Sequence, residues 1–156
     1  MAAVVSRIID VYVFRRDADA VRFLLLRRAP MLRLGGTWQS VHGRIETGET
    51  AAQAALRELR EETSLTPTRF WQLEFVNTFF VAESDEVHFC PTFAAEIAPD
   101  AQVSLSHEHT ECRWETGADA RREMLWPGQR RAIEEIEALI LSPANCERYL
   151  RISGAF

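Results

Sequence analysis

The segment that most constrains the fold of this chain is residues 50–63, TAAQAALRELREET. Its alanines, leucines, glutamates and arginines are strong helix formers, and no glycine or proline interrupts them. Thr50 followed by Gln53 has the spacing of an N-terminal capping box. Ala51, Ala55 and Leu59, with Ala52 and Leu56, recur at three- and four-residue spacing, so one broad side of the helix must pack on something. Glu58, Glu61 and Glu62 stand at i, i+3 and i+4, which places three carboxylates on one face within about 6 Å of axial rise. Like charges this close raise one another's pKa or gather a cation, and oxygen-only ligands with room for water suit Mg²⁺ or Mn²⁺ better than zinc. Glutamate and arginine at these offsets also make ordinary solvated helix faces. The balance is tipped by the preceding loop, Gly43-Arg44-Ile45-Glu46-Thr47-Gly48-Glu49, because the pattern G-x5-E-x7-R-E-U-x-E-E, with U apolar, demands many residue types at once.

The rest of the chain reads as strands before and after this helix. Residues 8–14 and 21–26 are short apolar, β-branched runs joined by the polar segment 15–20. Residues 29–37, with Pro30 and the Gly35-Gly36 pair, must be loop; 38–41 is a short strand and 43–49 a second loop. The aromatic and β-branched stretches 70–81 and 86–97 flank Glu83-Ser84-Asp85 as a hairpin would, and a further strand is expected near 111–115. Residues 129–141 set Ala132, Ile133, Ile136, Leu139 and Ile140 opposite Arg130, Arg131, Glu134, Glu135 and Glu137, which predicts an amphipathic helix on a sheet face. Pro143 is expected to stop it, and the tail 144–156 shows no clear period.

A chain of 156 residues, 47% hydrophobic and 26% charged, has the size and apolar content of one domain spanning 1–156. A formal net charge of -5 argues against duplex nucleic acid or anionic membrane as bulk electrostatic partners, while a small phosphate compound needs only a local site. Cys90, Cys112 and Cys146 are odd in number and far apart, which suggests neither a disulfide framework nor structural zinc and fits a reducing cytoplasm. No apolar run approaches the roughly 18 residues of a membrane span, and Arg7 and Asp10 interrupt the N-terminal apolar stretch, so no signal peptide is expected.

The spaced motif resembles the box of the Nudix hydrolase family, G-x5-E-x7-R-E-U-x-E-E-x-G-U, and matches every specified position but one. Ser64 stands at the family's glycine, where a helix end often requires a positive φ that serine adopts at a cost of about 1 kcal/mol. His42 is a second departure, standing where many members carry another glycine. The run Trp38-Gln39-Ser40-Val41-His42-Gly43 is similar to the branch that hydrolyses nucleoside and dihydroneopterin triphosphates.

The resemblance implies an α/β/α sandwich around a mixed β-sheet, with the box holding a divalent metal, Mg²⁺ or Mn²⁺, beside the sheet. By the same resemblance the metal set is Glu58, Glu61 and Glu62 with the Gly43 carbonyl and a later glutamate, Glu108, with Glu111 in reserve. Glu58 is the expected base, Glu61 a further catalytic carboxylate, and Arg57 an orienting residue paired with Glu49. Outside the box, Arg27 and Arg28 end a strand where a phosphate chain can be met, and Trp38, Phe79, Phe80 and Trp126 are candidate stacking faces for a ring, Trp38 and Trp126 being the ones selected. His107 and His109 read as exposed residues of a strand rather than ligands.

The implied activity is hydrolysis of a nucleoside triphosphate, dATP-like, or a pterin triphosphate with release of pyrophosphate. The same box serves dinucleoside polyphosphates, nucleotide sugars and capped RNA, and the same fold can serve as a binding module for a nucleotide or protein without turnover. Oligomeric state is left open.

Overall fold

Strand β2 (Ile8–Arg16) is buried from Ile9 to Phe14, and its side chains alternate between two separate apolar layers. Ile9, Val11 and Val13 join one cluster, while Tyr12 and Phe14 join the other. A strand whose two faces are both covered must read as a nearly unbroken apolar run, which explains IIDVYVF. Strand β3 (Val21–Arg28) repeats the division, with Leu24 and Leu26 on the first side and Phe23 and Leu25 on the second.

The protein is described by a computed structural model at residues 1–142 and 146–154. Around β2 and β3 the order is β1 (Ala3–Val5), then β4 (Trp38–Gln39), β5 (Val41–Arg44), α1 (Ala51–Thr63), β6 (Arg69–Val81), β7 (Glu86–Ile97), β8 (His109–Glu115), α2 (Gly117–Glu123), α3 (Pro127–Glu135) and α4 (Glu147–Leu150). The strands form one mixed sheet, in which β7 runs parallel to β1 and β2 and the other pairings are antiparallel. Helix α1 packs its Ala54, Ala55 and Leu59 on the first layer, and α2 and α3 pack Ala120, Ala132 and Ile133 on the second. The result is the expected α/β/α sandwich with a mixed sheet.

A split in this sheet prepares the site. β2 and β3 pair only where Phe14 faces Phe23 through to Arg16 facing Val21. Beyond that they diverge: residues Ile8 to Val11 pair with β5, and Leu26 and Arg27 pair with β4. The wedge between them is filled by β4 and β5, and one edge of β5 is left for α1 to meet.

Helix α1 begins and ends for the reasons read from its sequence. Gln53 N–H donates to Thr50 Oγ1 at 3.2 Å and the Gln53 side chain accepts from Thr50 N–H at 2.9 Å. At the other end Ser64 takes the left-handed conformation, φ 60°, and donates its N–H to the Arg60 carbonyl at 2.8 Å.

Several expectations are corrected. A further strand, β1, precedes the one expected at 8–14, because the chain pairs with β7 up to Val5 before it resumes beside β5 at Ile8. Gly43 and Arg44 belong to β5, not to a loop, since they pair with Ile9 and Ile8. Helix α2 was not foreseen; Thr116 caps it by accepting from Asp119 N–H at 3.1 Å. The helix expected over 129–141 starts at Pro127 and from Ile136 to Leu141 widens into a π-helical segment. Pro143, expected to stop it, lies outside the described residues. Cys90 and Cys112 are free thiols, and among the described residues no helix is long and apolar enough to cross a membrane.

Candidate active site

The split edge of β5 and the C-terminal half of α1 meet through the box. In an antiparallel strand, the N–H and C=O of one residue point to the same edge, and alternate residues point to opposite edges. Arg44 donates its N–H to Glu58 Oε1 at 3.2 Å, and the His42 N–H faces the Glu62 carboxylate. The even residues of β5 therefore face α1. Ile45 N–H instead bonds to the Arg7 carbonyl at 2.9 Å, as befits the odd set, which faces β2.

This alternation corrects the part expected of Gly43. Its carbonyl belongs to the β2 side, and the carbonyl turned toward the acids is that of His42. Glycine is required at 43 for another reason: a Cβ there would lie 2.0 Å from Glu58 Cδ. The helix can approach the strand only because that volume is empty.

Arg57 organises the carboxylates around this contact. Its Nε and Nη2 bond to the two oxygens of Glu49 at 2.9 and 3.0 Å, a bidentate fork. Nη2 also reaches the Arg44 carbonyl at 2.8 Å, and Nη1 reaches Glu58 Oε1 at 2.8 Å and Glu61 Oε2 at 3.1 Å. The guanidinium beside it holds the Glu49 carboxyl below its ordinary range, aided by the Glu46 backbone N–H.

Glu62 differs from every other acid of the helix. It is 3% exposed, and its Oε2 has no hydrogen-bond partner among the described residues. Burial first, and then the charges of Glu58 and Glu108, push its carboxyl up to about 9. Such a group is protonated at neutral pH unless a cation arrives.

Glu108 is delivered by the chain leading into β8. Ser104 and Ser106 donate their N–H groups to the carbonyls of Thr63 and Glu62 at 2.9 and 3.1 Å, so this segment is tied to the end of α1. Arg28 Nη1 lies 3.3 Å from Glu108 Oε2. His109, expected to be exposed, is buried, with Nδ1 3.8 Å from Glu62 Oε2. Burial and the Arg28 charge lower its pKa to about 4, so it stands neutral beside the acids. Strand alternation alone gave no sign of this, because the lid over His109 is the end of α1. His107 is exposed, as expected.

The structure thus brings Glu58, Glu62, Glu108 and Arg28 together, with Glu61 at the rim, 59% exposed in its side chain. A buried carboxylate with a bare oxygen, faced by two further carboxylates and the His42 carbonyl edge, fits a divalent cation with oxygen ligands. The helix carboxylates are not drawn to ligand spacing. Among the described residues, the His/Cys/Asp/Glu group whose ligand atoms all lie within 4.8 Å of one another is Asp10, His42 and Cys90.

The remaining candidates lie elsewhere. Arg27 points to the opposite sheet face, where it and Arg113 share Glu111 and flank the Trp38 ring at 5.9 and 4.5 Å. Glu111 is thereby removed from the acid cluster. Trp38 is 9% exposed and part of the second core, whereas Trp126 is 52% exposed before the first turn of α3. Phe79 and Phe80 sit on the far end of the β6–β7 hairpin, where Phe79 stacks on His88 at 5.1 Å.

Comparison with known proteins agrees with this geometry. The model of the NUDIX domain matches residues 6–136. A Myxococcus xanthus protein named octanoyltransferase is 34% identical over 134 residues, 85% of this chain and 37% of that protein. The asymmetrical bis(5'-nucleosyl)-tetraphosphatase of Caenorhabditis elegans is 28% identical over 103 residues, 65% of this chain and 72% of that enzyme. The chain therefore spans little more than a third of the first relative's length, and most of the second's. Among solved structures, a C. elegans Ap4A hydrolase binary complex superposes with a TM-score of 0.73 at 24% identity, covering 88% of this chain and 98% of that one. The Escherichia coli dihydroneopterin triphosphate pyrophosphohydrolase superposes with a TM-score of 0.67 at 27% identity, covering 81% and 91%.

Proposed function

The chain belongs to the NUDIX domain family, and from that premise we propose that it is a divalent-metal-dependent hydrolase of a phosphoanhydride in a nucleoside or pterin triphosphate, releasing pyrophosphate. The observation that carries this reading is Glu62, a buried carboxylate with an unpartnered oxygen set against Glu58 and Glu108. The domain runs over residues 1–156. Three cysteines, odd in number and far apart in the sequence, support a cytoplasmic setting, and the net charge of -5 supports a small-molecule substrate over duplex nucleic acid or a membrane.

Glu58, Glu62 and Glu108, with the His42 carbonyl and Glu61 from the rim, would hold Mg²⁺ or Mn²⁺. The bound ion would neutralise the diphosphate, polarise a phosphoryl oxygen and lower the pKa of water. The chain's own residues supply the rest. The hydrogen bonds of Glu58 to Arg44 and Arg57 all fall on Oε1, so Oε2 is oriented and free to take the proton of the attacking water. Arg57, fixed by Glu49, holds that carboxylate in place and balances its charge. Arg28, on the rim beside Glu108, meets a phosphate oxygen as in-line attack spreads charge over the phosphoryl group.

A second reading has specific support: the match to the tetraphosphatase covers 72% of that enzyme, so a dinucleoside polyphosphate is the alternative substrate for the same acids. Nucleoside and pterin triphosphates, dinucleoside polyphosphates and nucleotide sugars incubated with Mg²⁺, with products identified by mass, separate the two. Pyrophosphate plus a monophosphate is expected. A monophosphate plus orthophosphate, without pyrophosphate, would overturn the cleavage assignment. Glu58→Gln, Glu61→Gln and Glu62→Gln variants as active as the wild type would remove these acids from the chemistry, and a wild type that binds these compounds without turnover would leave only a binding module.

A further inference from the structure

Asp10 of β2 pairs with His42 of β5, and Cys90 lies two residues before Thr92, the partner of Asp10 on β7. Paired residues share a sheet face and so do residues two apart on one strand, so the three side chains project together, on the face turned away from α1. Their ligand atoms all lie within 4.8 Å of one another, and His42 Nδ1 is 2.6 Å from Asp10 Oδ1. Asp10 and Cys90 are buried, 5% and 0% exposed, while the His42 side chain is 41% exposed and opens the group to solvent. No spacing in the sequence announces this group, because each member comes from a different strand.

Asp10 is the hub. The imidazole meets its carboxylate through Nδ1, and the Cys90 thiol is directed at the same carboxylate, its other contact being the Pro91 carbonyl at a long 3.8 Å. Two hydrogen bonds thus converge on one buried carboxylate. A dication can replace both: thiolate, carboxylate and neutral imidazole carry two negative charges that balance it, and the displaced protons pass to solvent. A cation held roughly 2.0 to 2.3 Å from each donor sets those donors about 3.3 to 3.8 Å apart. The group reaches that spacing by opening the His42–Asp10 contact and drawing the thiol in, with no cavity larger than the ion.

Donor chemistry separates this group from the acids of α1. Those offer oxygen alone, which suits Mg²⁺, whereas sulfur, nitrogen and oxygen together suit zinc and similar transition metals, against which Mg²⁺ competes poorly. We propose that Asp10, His42 and Cys90 form a second metal site, for Zn²⁺ or a transition metal of like chemistry, with a fourth position open to solvent on the exposed side of His42. Three protein donors with one position left over is the ligand count of a zinc site that keeps water or an exogenous ligand. The site is distinct from the one on α1: the His42 main chain faces those acids, and its ring faces the other way. It stands or falls independently of the phosphoanhydride reading, because none of its side chains is drawn from the acid cluster.

The probe is Co²⁺, whose bond to a thiolate gives a charge-transfer band in the near ultraviolet that oxygen ligands do not give. The wild type is titrated with Co²⁺ in excess Mg²⁺, which holds back binding at the oxygen donors of α1. A band that saturates at one equivalent and is bleached by Zn²⁺ is expected. It should persist in a protein carrying both Cys112→Ser and Cys146→Ser, where Cys90 is the remaining thiol, and vanish in Cys90→Ser. His42→Ala should raise the apparent Kd for Co²⁺ about tenfold or more, at least the loss seen when a group supporting a metal ligand is removed. Thermal melting checks that each variant is folded. No band in the wild type, a band that keeps growing past one equivalent, or a band that survives Cys90→Ser overturns the proposal. Should Cys90→Ser fail to fold, the protein with Cys90 as its remaining thiol decides: a saturating band there supports the site, and its absence overturns it.

Discussion

Helices α1 and α3 flank the same sheet, both are rich in glutamate and arginine, and both bury an alanine and isoleucine or leucine stripe. Their acids meet different fates. On α3, Glu135 turns to the irregular part of β6 and accepts the N–H groups of Glu74 at 2.7 Å and Phe75 at 3.1 Å, where the pairing with β7 shifts between Gln72 and Val76. Just beyond α3, Glu137 pairs with Arg121. On α1, Glu62 is buried with a bare oxygen, and Glu58 and Glu61 share one guanidinium. The lesson is that a helical stripe of glutamates does not define a site; a buried carboxylate whose partner is missing does.

The contrast can be broken most sharply by exchanging each acid for its amide. Glu58→Gln should lower kcat by roughly 10²- to 10⁴-fold, the range for loss of a general base, with little change in melting temperature. Glu135→Gln should leave kcat within about twofold, because its partners are backbone groups of β6. Comparable activity losses in the two variants would show that the helices do not differ as described.

A stability measurement sharpens the same comparison. Glu135→Ala leaves two backbone N–H groups without their acceptor and should cost about 1 to 3 kcal/mol in chemical denaturation. Glu62→Gln should not destabilise the chelated protein at neutral pH, since the native carboxyl there is already protonated. The sign with pH follows: Glu62 has a native pKa raised to about 9, so the native state holds a proton that the unfolded chain releases near 4.5. Its contribution to stability is therefore present at low pH and falls by up to about 1.4 kcal/mol per unit as pH rises between those values. Denaturation of the protein in EDTA from pH 5 to 9 should show this slope, and Glu62→Gln should flatten it. A slope unchanged by the substitution would place the carboxyl in water.

The smallest effect concerns the end of α1. Ser64 holds φ 60°, so Ser64→Gly should stabilise the protein by about 1 kcal/mol, a few degrees in Tm, without altering kcat. A lower Tm in that variant would mean that the serine hydroxyl makes up for the strain.

Much of the site was legible because the contacts concerned are close in sequence. The Thr50–Gln53 box, the left-handed Ser64 bonded back to Arg60 and the Arg57–Glu49 fork each join residues no more than eight apart, where helical geometry or a short loop leaves few alternatives. The part of Gly43 was misread by one position, because which carbonyl faces α1 depends on the register between β5 and β2. The burial of His109 against Glu62, the pairing of Asp10 with His42 and the removal of Glu111 to the other face were not legible. Each joins residues brought together by strands distant in sequence.

The sequence by itself determined the family motif, the amphipathic helix that presents the acids and the two-sided burial of the central strands, because periodicity and spacing act within one element or between neighbours. Only the tertiary structure decided which acid loses its water, which carbonyl faces the acids of α1 and which polar side chains gather on the opposite face. Desolvation and strand register are properties of what packs on a residue, and no local pattern of residue types contains them.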